Sequence, residues 1–165
     1  MSARDKSYKT DQENFWSGDF GKDYIGRNDS DQLLASNLNF FTHSLRAVGS
    51  VQSCIEFGAN IGMNLRALQL LRPGLDAYGV EINEAAAKRL GDIIPPTNVF
   101  HESILEFEPK HEMDLALIKG VLIHINPNML GEVYEKLVAS TKRYLLVAEY
   151  YNRSPVAIPY RGHDD

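Results

Sequence analysis

Cysteine is almost missing from this chain. Cys54 is the only one among 165 residues, which excludes an intrachain disulfide and any zinc site built from cysteines. It lies in an apolar run, where a small buried thiol is expected. Basic residues are also scarce: 17 Lys and Arg stand against 22 Asp and Glu, a formal net charge of −5 at pH 7. Such a field repels a phosphate backbone, so nucleic acid is not an expected partner. No stretch approaches about 18 consecutive apolar residues. The first thirty residues are studded with charge and hold no apolar core of signal-peptide length. A soluble, cytoplasmic chain without a membrane segment is expected. No His, Asp or Glu cluster has metal-ligand spacing, so no metal is expected, and no Ser or Cys sits in a nucleophile-elbow pattern.

What is present is a globular composition, 44% hydrophobic, in a length that suits one domain. Residues 1–30 are polar with interspersed Phe15, Trp16, Phe20 and Tyr24, and read as an arm or short helices. From Asp31 the apolar positions Leu34, Leu38, Phe41, Leu45 and Val48 follow one another by four and three. That spacing predicts an amphipathic helix capped by Ser30 or Asp31. Strands are then expected at 51–57, 75–82, 98–101, 115–119 and 144–149, with helices at 62–71, 84–90 and 127–139 between them. Strand–helix alternation with near-continuous apolar strands predicts an α/β fold with a parallel sheet covered on both faces. The domain would span 31–151, leaving 152–165 as a short tail.

The chemistry concentrates at Ile55-Glu56-Phe57-Gly58-Ala59-Asn60-Ile61-Gly62, a turn leading from a strand into a helix. Gly58 permits a tight turn, and Gly62 allows close packing of the helix start on the strand. The N–H groups of such a turn are expected to face an anionic or carbonyl-rich ligand. Glu56 ends the strand at the same crevice. Glu81, 25 residues after Glu56, ends the second strand, where a carboxylate can accept two hydrogen bonds from ribose hydroxyls. Together these predict an adenosine-type ligand. The spacing G-x-N-x-G departs from the G-x-G-x-x-G of dinucleotide binding.

The segments E-F-G-A-N-I-G, G-V-E-I-N and D-L-A-L-I-K-G-V-L-I-H-I-N-P, in this order and spacing, resemble class I S-adenosylmethionine-dependent methyltransferases over residues 51–150. The prologue F-W-S-G-D-F-G-K-D-Y-I-G-R-N resembles the methylase subgroup associated with pseudaminic acid biosynthesis. The resemblance implies a Rossmann-like three-layer sandwich and a small-molecule acceptor, a sugar or nucleotide-sugar. It implies that Glu56, Gly58, Asn60 and Gly62 meet the methionine part of the cofactor and that Glu81 holds the ribose. Ile82 would pack on the adenine, Glu102 and Ser103 would reach its edge, and Lys119, Gly120 and Val121 would line the pocket. Tyr24, Arg27 and Asn28 are candidates to close over the cofactor, with Arg27 pairing the methionine carboxylate; the alternative is a solvated arm with ordinary surface charge. For a hydroxyl acceptor, His124 is the candidate general base; the alternative is a loop histidine bonded to backbone.

The family's sheet has seven strands, and only five are readable here. The sixth and seventh are therefore expected to be lacking, and the chain to be a truncated form or else a minimal domain. Truncation is favoured because the fifth strand would be an open edge, one that a homodimer could cover. Two other functions stand beside methyl transfer: a binding module that no longer catalyses, and a nicotinamide-dependent oxidoreductase, which the glycine spacing disfavours.

Overall fold

A computed structural model describes residues 8–154. Two seven-residue helices come first, α1 (Asp11–Ser17) and α2 (Asp19–Ile25), joined at Gly18. Thr10 caps α1 through a reciprocal capping box with Glu13. The long helix α3 (Asp31–Ser44) starts at Ser30, whose side chain accepts from the Leu33 N–H. Then β1 (Ser53–Phe57), α4 (Met63–Leu71), β2 (Asp76–Val80), α5 (Glu84–Leu90), β3 (Val99–Phe100), β4 (Met113–Lys119), α6 (Leu130–Ala139) and β5 (Thr141–Ala148) alternate. Pro127 opens a single 3-10 turn ahead of α6, where its missing N–H costs nothing.

The five strands form one all-parallel sheet in the order β3-β2-β1-β4-β5. The order reverses between β1 and β4, which opens a crevice at their carboxyl ends. Successive residues feed opposite faces. Cys54, Leu115 and Leu117 pack with Phe41 of α3 and Leu65 and Leu68 of α4. Ile55, Phe57, Ala116 and Ile118 pack with Phe107 and with Val133 and Leu137 of α6. This is the expected three-layer α/β sandwich, and burial also pushes the Cys54 thiol well up from its ordinary pKa.

All five strands depart from the expected bounds by one to three residues, two of them for a readable reason. β4 begins two residues early, at Met113, because Asp114 interrupts the apolar run yet belongs to the sheet: its carboxylate accepts from the Gln52 N–H at 2.8 Å. β5 begins at polar Thr141 because it is an edge strand among the described residues, where Lys142, Arg143, Leu145 and Val147 stay exposed. Among the described residues no helix is long and apolar enough to cross a membrane. Residues 155–165 of the expected tail and residues 1–7 of the expected arm lie outside them.

Candidate cofactor and acceptor site

The crevice at the carboxyl ends of β1, β2 and β4 is a cavity of about 930 Å³. Its floor is the turn between β1 and α4. Gly58, Asn60 and Gly62 hold φ of 73°, 48° and 82°, so every second residue lies in the left-handed region. Glycine enters it freely, and asparagine is among the few side chains that tolerate it. Asn60 thus preserves the loop where the resembled family often has glycine.

Four of the loop's N–H donors are spent internally. Gly58 and Ala59 N–H both donate to Val80 O at 2.9 and 3.0 Å, and Gly62 N–H donates to Ala59 O at 2.9 Å. Asn60 N–H donates to Glu81 Oε2 at 2.7 Å. The expectation that these N–H groups face an anionic ligand is therefore corrected: the sheet end and the Glu81 carboxylate take them first.

Glu81 itself is 8% exposed, and its other oxygen accepts from Asn83 N–H at 2.7 Å. Burial raises its pKa, opposed by those backbone N–H groups. It lines the cavity, and each oxygen keeps lone-pair capacity for a ligand hydroxyl. Glu56, 1% exposed, lies behind the wall. Its Oε1 accepts from Asn64 Nδ2 at 2.6 Å, while Oε2 finds no donor among the described residues. Burial pushes its pKa up to about 8, with the Asn64 hydrogen bond and Lys119 acting in the opposite direction. Asn60 Oδ1 and Asn64 Oδ1 are likewise buried without a donor among the described residues. The floor is a set of acceptors awaiting a donor.

Other expected residues fall on the cavity wall: Gly58, Ile82, Ser103, Lys119, Gly120, Val121, Tyr24, Asn28 and His124. Ser103 Oγ accepts from Leu105 N–H at 3.0 Å, fixing the turn after β3. Lys119 Nζ donates to Asn37 Oδ1 at 3.4 Å. Four expected cofactor contacts lie off the wall: Glu56 and Gly62, both buried, and Arg27 and Glu102. Arg27, just beyond α2, is exposed and off the cavity wall, whereas Asn28 faces inward. Glu102 also lies off the wall, because the chain turns inward only at Ser103.

His124 sits in the 3-10 turn after β4, its ring 4.5 Å from that of Trp16 in α1. Burial lowers its pKa to about 4, so the imidazole is neutral at physiological pH and a weak base. The sign for stability follows. Folding disfavours the protonated ring, so stability present above pH 6.5 is lost as pH falls toward 4. Because the ring is only partly buried, the expected loss is about 1 kcal/mol, or roughly 3 °C of Tm. His124→Gln should flatten that acid-side decline in a thermal melt series from pH 7.5 to 4.5.

Sequence reasoning missed Asn37, Asn64 and Asn83, which have no periodic or motif signature. It gave Glu13 no role, although the Thr10–Glu13 spacing of a capping box is legible. Among the described residues no group of three or more His, Cys, Asp or Glu is placed to hold a metal ion.

No family model matches the chain, and no curated protein matches it. Solved structures do. The sugar N-methyltransferase KedS8 from Streptoalloteichus sp ATCC 53650 superposes with a TM-score of 0.67 at 16% identity, over 93% of this chain and 61% of that one. The mitomycin 7-O-methyltransferase MmcR gives 0.66 at 16% identity, over 90% of this chain and 45% of that one. The plantazolicin methyltransferase BpumL, in complex with SAH, gives 0.61 at 18% identity, over 79% and 52%. The chain thus spans about half to three fifths of the length of these proteins. At such identities the likeness establishes an α/β Rossmann-like fold shared with methyltransferases.

Proposed function

We propose that this chain binds S-adenosylmethionine and transfers its methyl group to a small molecule, a sugar or nucleotide-sugar of surface-glycan (pseudaminic acid) assembly. The observation that carries the cofactor reading is the polarity of the loop. A dinucleotide brings a pyrophosphate that needs free N–H donors, but the N–H groups of Gly58, Ala59, Asn60 and Gly62 are already used. An amino-acid nucleoside instead brings a ribose diol for Glu81 and an α-ammonium for the acceptor oxygens of Asn60 and Asn64, with the Glu56 carboxyl behind them at Asn64. The residues present therefore fit the group. Ile82 and Ile104 supply apolar wall for an adenine, and Ser103 lies between the strand end and that wall.

Once bound, the sulfonium supplies an electrophilic methyl, and the protein's part is to hold donor and acceptor in line and exclude water. The fold neighbours include enzymes named for sugar N-methylation and for O-methylation of mitomycin, which supports the small-molecule reading. The narrower glycan reading rests on the sequence resemblance.

Titration calorimetry with S-adenosylhomocysteine, with NADH as control, tests the cofactor. The former binds in the micromolar range, on the order of 1–100 µM, and the latter does not. Glu56 adds a second readout. With its pKa at about 8 it is protonated at pH 7, and an ammonium beside it favours the carboxylate. Binding at pH 7 should release about one proton, seen as a heat that varies with buffer ionisation enthalpy. Glu56→Gln should abolish that release. Binding of NADH alone overturns the proposal.

A further inference from the structure

We propose that the acceptor end of the cavity recognises a basic amine, held by the carboxylates of Glu13 and Glu149; this rests on the methyltransferase reading above. Neither residue belongs to the cofactor floor. Glu13 closes the capping box of α1: its Oε2 accepts from Thr10 N–H at 2.9 Å and from Thr10 Oγ1 at 3.0 Å. A glutamate in that role usually keeps its head in water. Here the residue is 6% exposed and lines the cavity, and Oε1 is buried with no donor among the described residues. Glu149, just after β5, repeats the pattern. Its Oε1 accepts from Val121 and Leu122 N–H at 2.8 and 3.0 Å, while Oε2 is buried at the cavity without a donor among the described residues.

Glu149 and helix α1, which carries Glu13, border the same segment. Glu149 clamps its start at Val121 and Leu122. Helix α1 rests on its continuation, with Trp16 against His124 and Gln12 accepting from Asn126 Nδ2 at 3.4 Å. Each protein-side hydrogen bond fixes one oxygen and leaves the other for a ligand. A buried carboxylate oxygen without a donor is costly, so a ligand that supplies donors and positive charge regains most.

The charge balance of the wall selects the chemistry. Its described charged residues are Glu13, Glu81 and Glu149 against Lys119 alone, and Lys119 is engaged by Asn37. A phosphate or carboxylate entering here meets a wall whose charged side chains are three carboxylates and one engaged lysine. A lone hydroxyl brings one donor and no charge. An ammonium brings three donors and a full charge, enough for both free oxygens. It becomes a nucleophile when one N–H bond breaks, the proton passing to a carboxylate oxygen and the bonding pair staying on nitrogen as its lone pair. No imidazole base is required, in keeping with a neutral His124.

The test uses the full chain saturated with S-adenosylhomocysteine, so that cofactor binding is read first and separately. Matched probes follow: a panel of amino sugars, and the same sugars with hydroxyl in place of the amine, both measured by calorimetry. The amino members should bind and the hydroxyl members should bind at least about tenfold more weakly. Glu13→Gln preserves the capping box, and Glu149→Gln can still accept from Val121 and Leu122, so both should fold and bind S-adenosylhomocysteine like the wild type. Each should cost the amino probes about tenfold or more in affinity. With the cofactor analogue bound, equal binding of the two sets, no binding by any amino member, or unchanged amine affinity in both variants overturns the proposal. Absence of S-adenosylhomocysteine binding overturns the underlying reading instead.

Discussion

Glu81→Ala is expected to lower the affinity for S-adenosylhomocysteine at least about a hundredfold while the chain remains folded. Two contributions add. In the proposed binding mode the ligand loses two ribose hydrogen bonds to a charged acceptor, together about 3–6 kcal/mol, which converts to a hundredfold or more in affinity. The free protein loses the clamp on its own loop, since Glu81 holds Asn60 N–H at 2.7 Å and Asn83 N–H at 2.7 Å. Without it, Asn60 has less reason to keep φ at 48°, a conformation a non-glycine residue leaves when unsupported. The change also removes a buried carboxylate whose desolvation is unfavourable, so global stability should fall less than affinity. Glu81→Asp separates the contributions. It keeps the charge but shortens the reach by a methylene, and should bind more tightly than Glu81→Ala and more weakly than the wild type. Calorimetry gives the affinities and far-UV circular dichroism verifies the fold. Wild-type affinity in Glu81→Ala would remove Glu81 from the binding site.

Much of this site was legible from spacing alone. Apolar runs separated by helical segments dictate a parallel sheet, and a parallel sheet fixes where Glu56 and Glu81 must end. The glycine turn followed for the same reason. What spacing cannot carry is where a loop's hydrogen bonds go. The turn between β1 and α4 reads as an anion cradle, yet its N–H groups close back on Val80 O and Glu81. Arg27 and Asn28 are neighbours in a loop, where no period says which one faces inward; the structure turns Asn28 to the cavity and leaves Arg27 in solvent. Glu13 is visible as a capping residue but not as a cavity residue, because the cavity it lines is closed by segments distant in sequence. Asparagines are hardest of all. Their value lies in donating and accepting at once, and that is spent between elements distant in sequence.

Asn83 shows this most clearly, and its removal should be the most destabilising of the polar changes. The side chain is 4% exposed. Oδ1 accepts from Ala85 and Ala86 N–H at 3.1 and 3.2 Å, capping α5. Nδ2 points the other way, to the carbonyl oxygens of Trp16, Ser17 and Gly18 at 3.1, 3.3 and 3.2 Å, where α1 turns into α2. Gly21 makes that approach possible, since a Cβ there would lie 1.9 Å from Trp16 O and 2.9 Å from Asn83 Nδ2. Asn83→Ala loses a cap, about 1 kcal/mol, and takes the amide's two N–H donors from the carbonyls of Trp16, Ser17 and Gly18, of which Gly18 O keeps Lys22 N–H, about 2 kcal/mol more. The expected total of about 3 kcal/mol corresponds to a Tm lower by roughly 6–12 °C. Asn83→Asp keeps the cap but sets a carboxylate against carbonyl oxygens, so it isolates the hairpin's share. Trp16 is the only tryptophan and sits in the hairpin against His124, so its emission reports docking directly. A red shift in Asn83→Asp, with α5 intact, is expected. Unchanged emission would mean that the apolar face of α2, through Ile25, holds the hairpin without Asn83. Glu81 and Asn83 lie two residues apart at one strand end, the first shaping the cofactor floor and the second fastening the helix that carries Glu13. Loosening the hairpin should therefore weaken acceptor binding more than cofactor binding, which is the opposite of the order expected for Glu81.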